Sequence, residues 1–138
     1  MKKTLLLASF GLATIFFAAS CSKDDSNTSN PNNATVQGTW SGTAQYGTTA
    51  GNPTYAFTIT FKANGTVDII GNNSAAIDNA TGTWAMVQDS VRATYTYFSS
   101  SATYTLSGKF SSTSNVMAGT IGLGSSTTGV GLFTVARQ

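Results

Sequence analysis

The sequence predicts an all-β protein, an eight-stranded antiparallel up-and-down β-barrel, and three observations predict it. From Thr35 onward apolar residues recur with a period of two rather than 3.6, the mark of half-buried antiparallel strands. The alternation is broken into eight short segments by turn residues, and none of the eight has a helical period. Thr, Tyr, Phe and Val are abundant in these segments, and no proline follows Pro53, as uninterrupted strand ladders require.

The first segment places Val36, Gly38, Trp40, Gly42, Ala44 and Tyr46 on one face and Thr35, Gln37, Thr39, Ser41, Thr43 and Gln45 on the other. The second sets Tyr55, Phe57, Ile59 and Phe61 against Ala56, Thr58, Thr60 and Lys62. The same rhythm continues through 65–71, 80–87, 90–98, 102–110, 115–122 and 128–137. Eight consecutive strands with tight connections favour a meander, and a meander of that size removes its edges by closing. The competing architecture is a two-sheet β-sandwich. Eight strands enclose an interior that side chains can just fill, or that holds one small ligand. Twelve aromatic residues lie beyond residue 20, most of them on apolar faces, so a core is available. The small inner-face residues Gly38, Gly42, Ala44, Gly82, Ala93 and Gly108 leave room that these aromatics are expected either to fill or to leave as a pocket.

Connection lengths divide the barrel into two ends. One end carries the segments Gly47–Thr54, Asn72–Asn79, Ser99–Ser101 and Leu123–Thr127. The other has Ala63-Asn64-Gly65, Gln88-Asp89 and Ser111–Ser114, and Asn-Gly is a strong hairpin signal because both residues tolerate positive φ. The chain joins the barrel at this second, tighter end, so the long loops form a mouth on the opposite side, where barrels usually carry function.

Ahead of the barrel, Met1-Lys2-Lys3 precedes an apolar run, Leu5 to Phe17, and then Ala18-Ala19-Ser20-Cys21, which holds the only cysteine. As a helix the run is about 20 Å long, too short for a hydrocarbon core of ~30 Å, and it reads as a cleaved leader. With a lone cysteine after small residues, it resembles the lipobox of bacterial lipoproteins, with Ala18 where that family prefers leucine. The alternative is an ordinary secretory peptide cut near Ser20. The resemblance implies a signal peptide over 1–20, acylation of Cys21 with palmitate-type chains, and attachment to the membrane through that lipid. Residues 21–34 are dominated by Ser, Asn and Asp and form an expected disordered tether, leaving 35–138 as the barrel domain. Ser22-Lys23-Asp24-Asp25 resembles the acidic tag of Bacteroidetes-type surface lipoproteins, which implies an outer-membrane, cell-surface location.

Removing Lys2 and Lys3 turns the formal +2 into a balance of five basic residues (Lys23, Lys62, Arg92, Lys109, Arg137) against five aspartates. No basic patch remains to attract nucleic acid. The sequence has no His and no Glu, and the barrel's carboxylates (Asp68, Asp78, Asp89) have no spacing that suggests an acid–base pair. No serine has a base to activate it, and no cluster of metal ligands or cofactor motif is present. An enzyme is therefore not expected, nor a metal or cofactor. A membrane-spanning barrel is disfavoured by the Thr, Ser and Lys of the outer face and by a C-terminus without an aromatic residue.

Gly38-Thr39-Trp40 in the first strand, with Arg137 at the end of the last, resembles the lipocalin-like (calycin) barrels. The resemblance implies that Trp40 plugs the closed end and that Arg137 lies over its indole. A second triplet, Gly82-Thr83-Trp84, shows how readily the motif arises here, and the family's C-terminal helix is missing. Candidate ligand-binding residues are Tyr46, Tyr55, Trp84, Tyr95, Tyr97 and Tyr104, which either line a pocket with polar tips or fill the core. Asp89-Ser90-Val91 fits a bacterial O-glycosylation pattern and makes Ser90 a candidate modification site. Two functions follow: a barrel that binds a small hydrophobic or amphipathic ligand, or a filled structural barrel that engages a protein partner.

Overall fold

The computed structural model describes residues 35–72 and 76–138; the leader, Cys21 and the tether lie outside the described residues. Eight strands follow in order: β1 (Gly38–Tyr46), β2 (Thr54–Phe61), β3 (Thr66–Gly71), β4 (Asn79–Val87), β5 (Ser90–Tyr97), β6 (Thr103–Ser111), β7 (Val116–Leu123) and β8 (Gly129–Arg137). A 3-10 turn, Ala76–Asp78, lies between β3 and β4. Each strand pairs antiparallel with its sequence neighbour, and β8 returns to pair with β1, so one sheet closes into a barrel rather than two sheets packing as a sandwich. β1 begins at Gly38 rather than Val36, and the other strand boundaries fall within one residue of those the alternation predicts.

The two faces of the strands explain the composition. Outward-facing hydroxyls meet across strand pairs: Thr39 with Thr60 at 3.2 Å, Ser41 with Thr58 at 3.1 Å, Thr94 with Thr105 at 3.0 Å and Thr96 with Thr103 at 2.9 Å. Each such pair contributes roughly 0.2–1 kcal/mol and pins register. Inward, Trp40, Phe57, Ile59, Phe61, Val67, Ile69, Val91, Leu106, Met117, Phe133 and Val135 form one continuous buried core. The closed half of the barrel is filled.

The inner glycines do not leave the expected space. A Cβ on Gly42 would fall 2.8 Å from the Val135 Cα, and one on Gly82 only 2.6 Å from the Tyr95 Cα. At both positions the neighbouring strand's backbone occupies the place of a side chain, so these residues permit the sharp bending that closure needs. At Gly108 the space is taken by side chains, with the Phe133 ring 2.7 Å and Met117 Cγ 3.1 Å from where a Cβ would stand.

At the closed end Trp40 is fully buried. Its indole N–H donates to the Val36 carbonyl at 2.8 Å, and its ring meets Phe110 edge-on, centroids 5.2 Å apart. Trp40 and Arg137 are register partners across β1 and β8, and the guanidinium carbon lies 4.7 Å from the indole centroid. Arg137 also donates from Nη1 to the Gln37 carbonyl at 2.9 Å and from Nη2 to the Thr35 carbonyl, binding the arriving chain to the departing one. The expected plug is in place.

Candidate functional site

The strands that end at the mouth carry their last inward residues into open space, because no further layer lies above them. Five tyrosines lie at this end: Tyr46 ends β1, Tyr55 is second in β2, Tyr97 ends β5 with Tyr95 two residues deeper, and Tyr104 is second in β6. All five border one cavity of about 270 Å³, open to solvent, with Gln45, Gly71, Asn72, Asp78, Ser99, Ser100, Ile121, Val130 and Gly131. Tyr95 and Ile121 are buried and separate the cavity from the core beneath, while Tyr46 stands at the rim, 59% exposed.

The rings are set at several angles rather than in one stack. Tyr97 and Tyr104 meet nearly at right angles with centroids 5.5 Å apart, and Tyr95 lies almost parallel to Tyr104 at 6.1 Å. On the other wall Tyr46 and Tyr55 are tilted by 37° at 4.6 Å, and Tyr55 meets Phe57 of the core edge-on. The result is a concave wall of rings, exposed at Tyr46 and buried at Tyr95. Burial pushes the Tyr55 and Tyr95 hydroxyls well above the ordinary tyrosine range. Tyr97 is pushed up to about 12, by burial first and then by the neighbouring Tyr104 and Asp78. These phenols therefore remain neutral hydrogen-bonding groups at any physiological pH.

Asp78 arrives at the cavity on the 3-10 turn between β3 and β4. The turn packs closely on Gly71: a Cβ there would stand 3.3 Å from the Asp78 carbonyl oxygen, a tight approach, and in ordinary contact with the Asp78 Cβ at 3.5 Å. The other two carboxylates lie away from the mouth. Asp68 bridges to Lys62 at 2.6 Å on the outer face, and Asp89 bridges to Lys109 at 2.9 Å at the closed end. Ser90, the candidate modification site, sits beside that closed-end turn and donates from Oγ to Asp89 Oδ1 at 3.2 Å.

Trp84 is not with the tyrosines. It is buried at the closed end, where its indole N–H donates to the Lys62 carbonyl at 3.0 Å and its ring packs on Phe61, centroids 5.0 Å apart. The reason is positional: β4 runs from the mouth to the Gln88-Asp89 turn, and Trp84 lies four residues before that turn. It is a second plug, not part of the pocket. Gln45, Asn72, Asp78 and the Ser99-Ser100 pair complete the lining; the sequence put all but Gln45 in the mouth connections without naming any of them as a binding residue. No protein-family model matches this chain, and comparison with the curated proteins and with the solved structures finds no similar one.

Proposed function

We propose that this protein is a non-enzymatic, lipid-anchored protein of the bacterial cell envelope whose lipocalin-like barrel holds one small hydrophobic or amphipathic ligand at its mouth. The observation that carries the reading is the convergence of five tyrosines on a single open cavity above a filled core. Rings offer apolar area, and their hydroxyls orient a ligand's polar part. At about 270 Å³ the cavity falls just below the ~300–1,000 Å³ of ligand pockets, so the ligand is small or only partly enclosed. Attachment through Cys21, with the chain joining the barrel beside Arg137, directs the mouth away from the membrane.

The anchoring half of the proposal is tested by labelled palmitate, which should enter the wild type and not Cys21→Ser; incorporation surviving that substitution refutes it. The binding half is tested with an uncharged apolar fluorescent probe such as N-phenyl-1-naphthylamine added to the folded protein. Saturable enhancement that is lost in Tyr97→Ala supports the mouth, and enhancement unchanged by that substitution refutes it. A second reading, a barrel that engages a protein partner, is favoured by exposed apolar residues at the mouth end of the chain's strands and connections: Tyr46, Ile77, Phe98 and Leu123 are each about 60% exposed.

A further inference from the structure

We propose that the mouth selects an organic cation, a small quaternary or alkylated ammonium group held against the tyrosine rings beside Asp78. This rests on the mouth being the binding site and adds the chemical class of its ligand. The first support is the arrangement of the rings. Tyr46, Tyr55, Tyr97 and Tyr104 border one concavity from four different strands, and their pairs stand at 37° and 82° rather than in one stack, so aromatic surface borders the site from more than one wall. An aromatic face carries partial negative charge and attracts a poorly hydrated cation.

The second support is the distribution of charge. Among the described residues, the connections at the mouth, residues 47–53, 72, 76–78, 98–102 and 124–128, contain a single charged residue, Asp78, and no Lys or Arg. The barrel's four cations are elsewhere. Lys62 is bridged to Asp68, and Lys109 to Asp89. Arg137 covers Trp40 at the closed end, and Arg92 is exposed at a register position opposite Ala85 and Ser107. A fatty carboxylate or a phosphate would thus meet one carboxylate and no counter-ion. An ammonium meets the reverse, a carboxylate and several ring faces, with neutral phenol oxygens as acceptors for any remaining N–H.

The third support is size. A trimethylammonium headgroup with a short substituent fits a cavity of about 270 Å³, whereas a long acyl chain has no place in the filled core below.

The test is an NMR titration of the purified full chain, read at the tyrosine ring signals, with three probes: choline, its neutral carbon isostere dimethylbutanol, and hexanoate. Choline should shift the mouth tyrosines and bind about tenfold more tightly than the alcohol, with hexanoate weakest. Asp78→Asn should reduce choline binding several-fold and leave the alcohol unchanged. Tyr46→Leu, at the exposed rim and so without cost to the core, should do the same. Equal or tighter binding of dimethylbutanol or hexanoate overturns the cation inference while leaving a mouth that binds amphipathic molecules. Binding of none of the three also overturns it, and the fluorescent-probe experiment then decides separately whether the mouth binds anything.

Discussion

Replacing Trp40 by phenylalanine probes the closed end with a change small enough to leave a folded barrel. The indole N–H to the Val36 carbonyl, 2.8 Å in a fully buried site, is lost. Removing the donor from a buried carbonyl costs about 1–3 kcal/mol. The weaker face presented to Arg137, now 4.7 Å above the indole, adds about 0.5–1 kcal/mol. The smaller ring also loosens the edge contact with Phe110. The loss should total about 2–4 kcal/mol, a large part of the ~5–15 kcal/mol that stabilises a typical domain. Urea unfolding followed by near-ultraviolet circular dichroism measures it as a lowered midpoint with an unchanged slope. In a double-mutant cycle with Arg137→Met, the coupling between the two positions should be about 0.5–2 kcal/mol. A loss below about 1 kcal/mol, or a coupling of zero, would refute the plug as a stabilising unit.

Three further outcomes follow from the same geometry. Gly82→Ala drives a Cβ into the Thr94 carbonyl and to 2.6 Å from the Tyr95 Cα, so it should destabilise by about 1–3 kcal/mol or more, measured in the same unfolding assay. Because the Tyr97 hydroxyl is raised from 10.0 to about 12 in the folded state, the unfolded chain loses its phenolic protons first. Stability should then be flat below pH 10 and fall as pH rises through about 12, with the absorbance of the mouth tyrosinates appearing late in a spectrophotometric titration. Breaking the half-exposed Lys62–Asp68 bridge with Lys62→Met should change stability by less than about 1 kcal/mol, and the difference from wild type should shrink as salt is added.

Strand number, order and boundaries were legible because each strand has one buried and one wet face, and a two-residue period is hard to produce by any other structure. Closure followed from counting strands, and the meeting of Trp40 with Arg137 followed from both lying at the end where β1 begins and β8 stops. The five tyrosines were legible as a group for the same reason, since each lies within two residues of a strand's mouth end. Trp84 was misplaced among them although its position was available from the count: β4 runs from Asn79 at the mouth to Val87, and Trp84 lies in the half of that strand nearer the closed end. Glycines were less readable. Gly42 and Gly82 alternate in phase with core residues, yet what their missing side chains accommodate is the backbone of the next strand, a matter of sheet curvature that no residue pattern states. Asp78 was legible as a residue of a mouth connection, but not as part of the cavity wall, because the path of a loop depends on close contacts such as those at Gly71.

The central claim is that the tyrosine-lined mouth holds a small molecule. Native mass spectrometry of the protein extracted from its own host, compared before and after denaturation, measures this directly. The account predicts a single co-purifying small molecule on the wild-type protein, absent from Tyr97→Ala purified in the same way. A wild-type protein that emerges at its bare covalent mass, or a bound molecule retained equally by Tyr97→Ala, would contradict it.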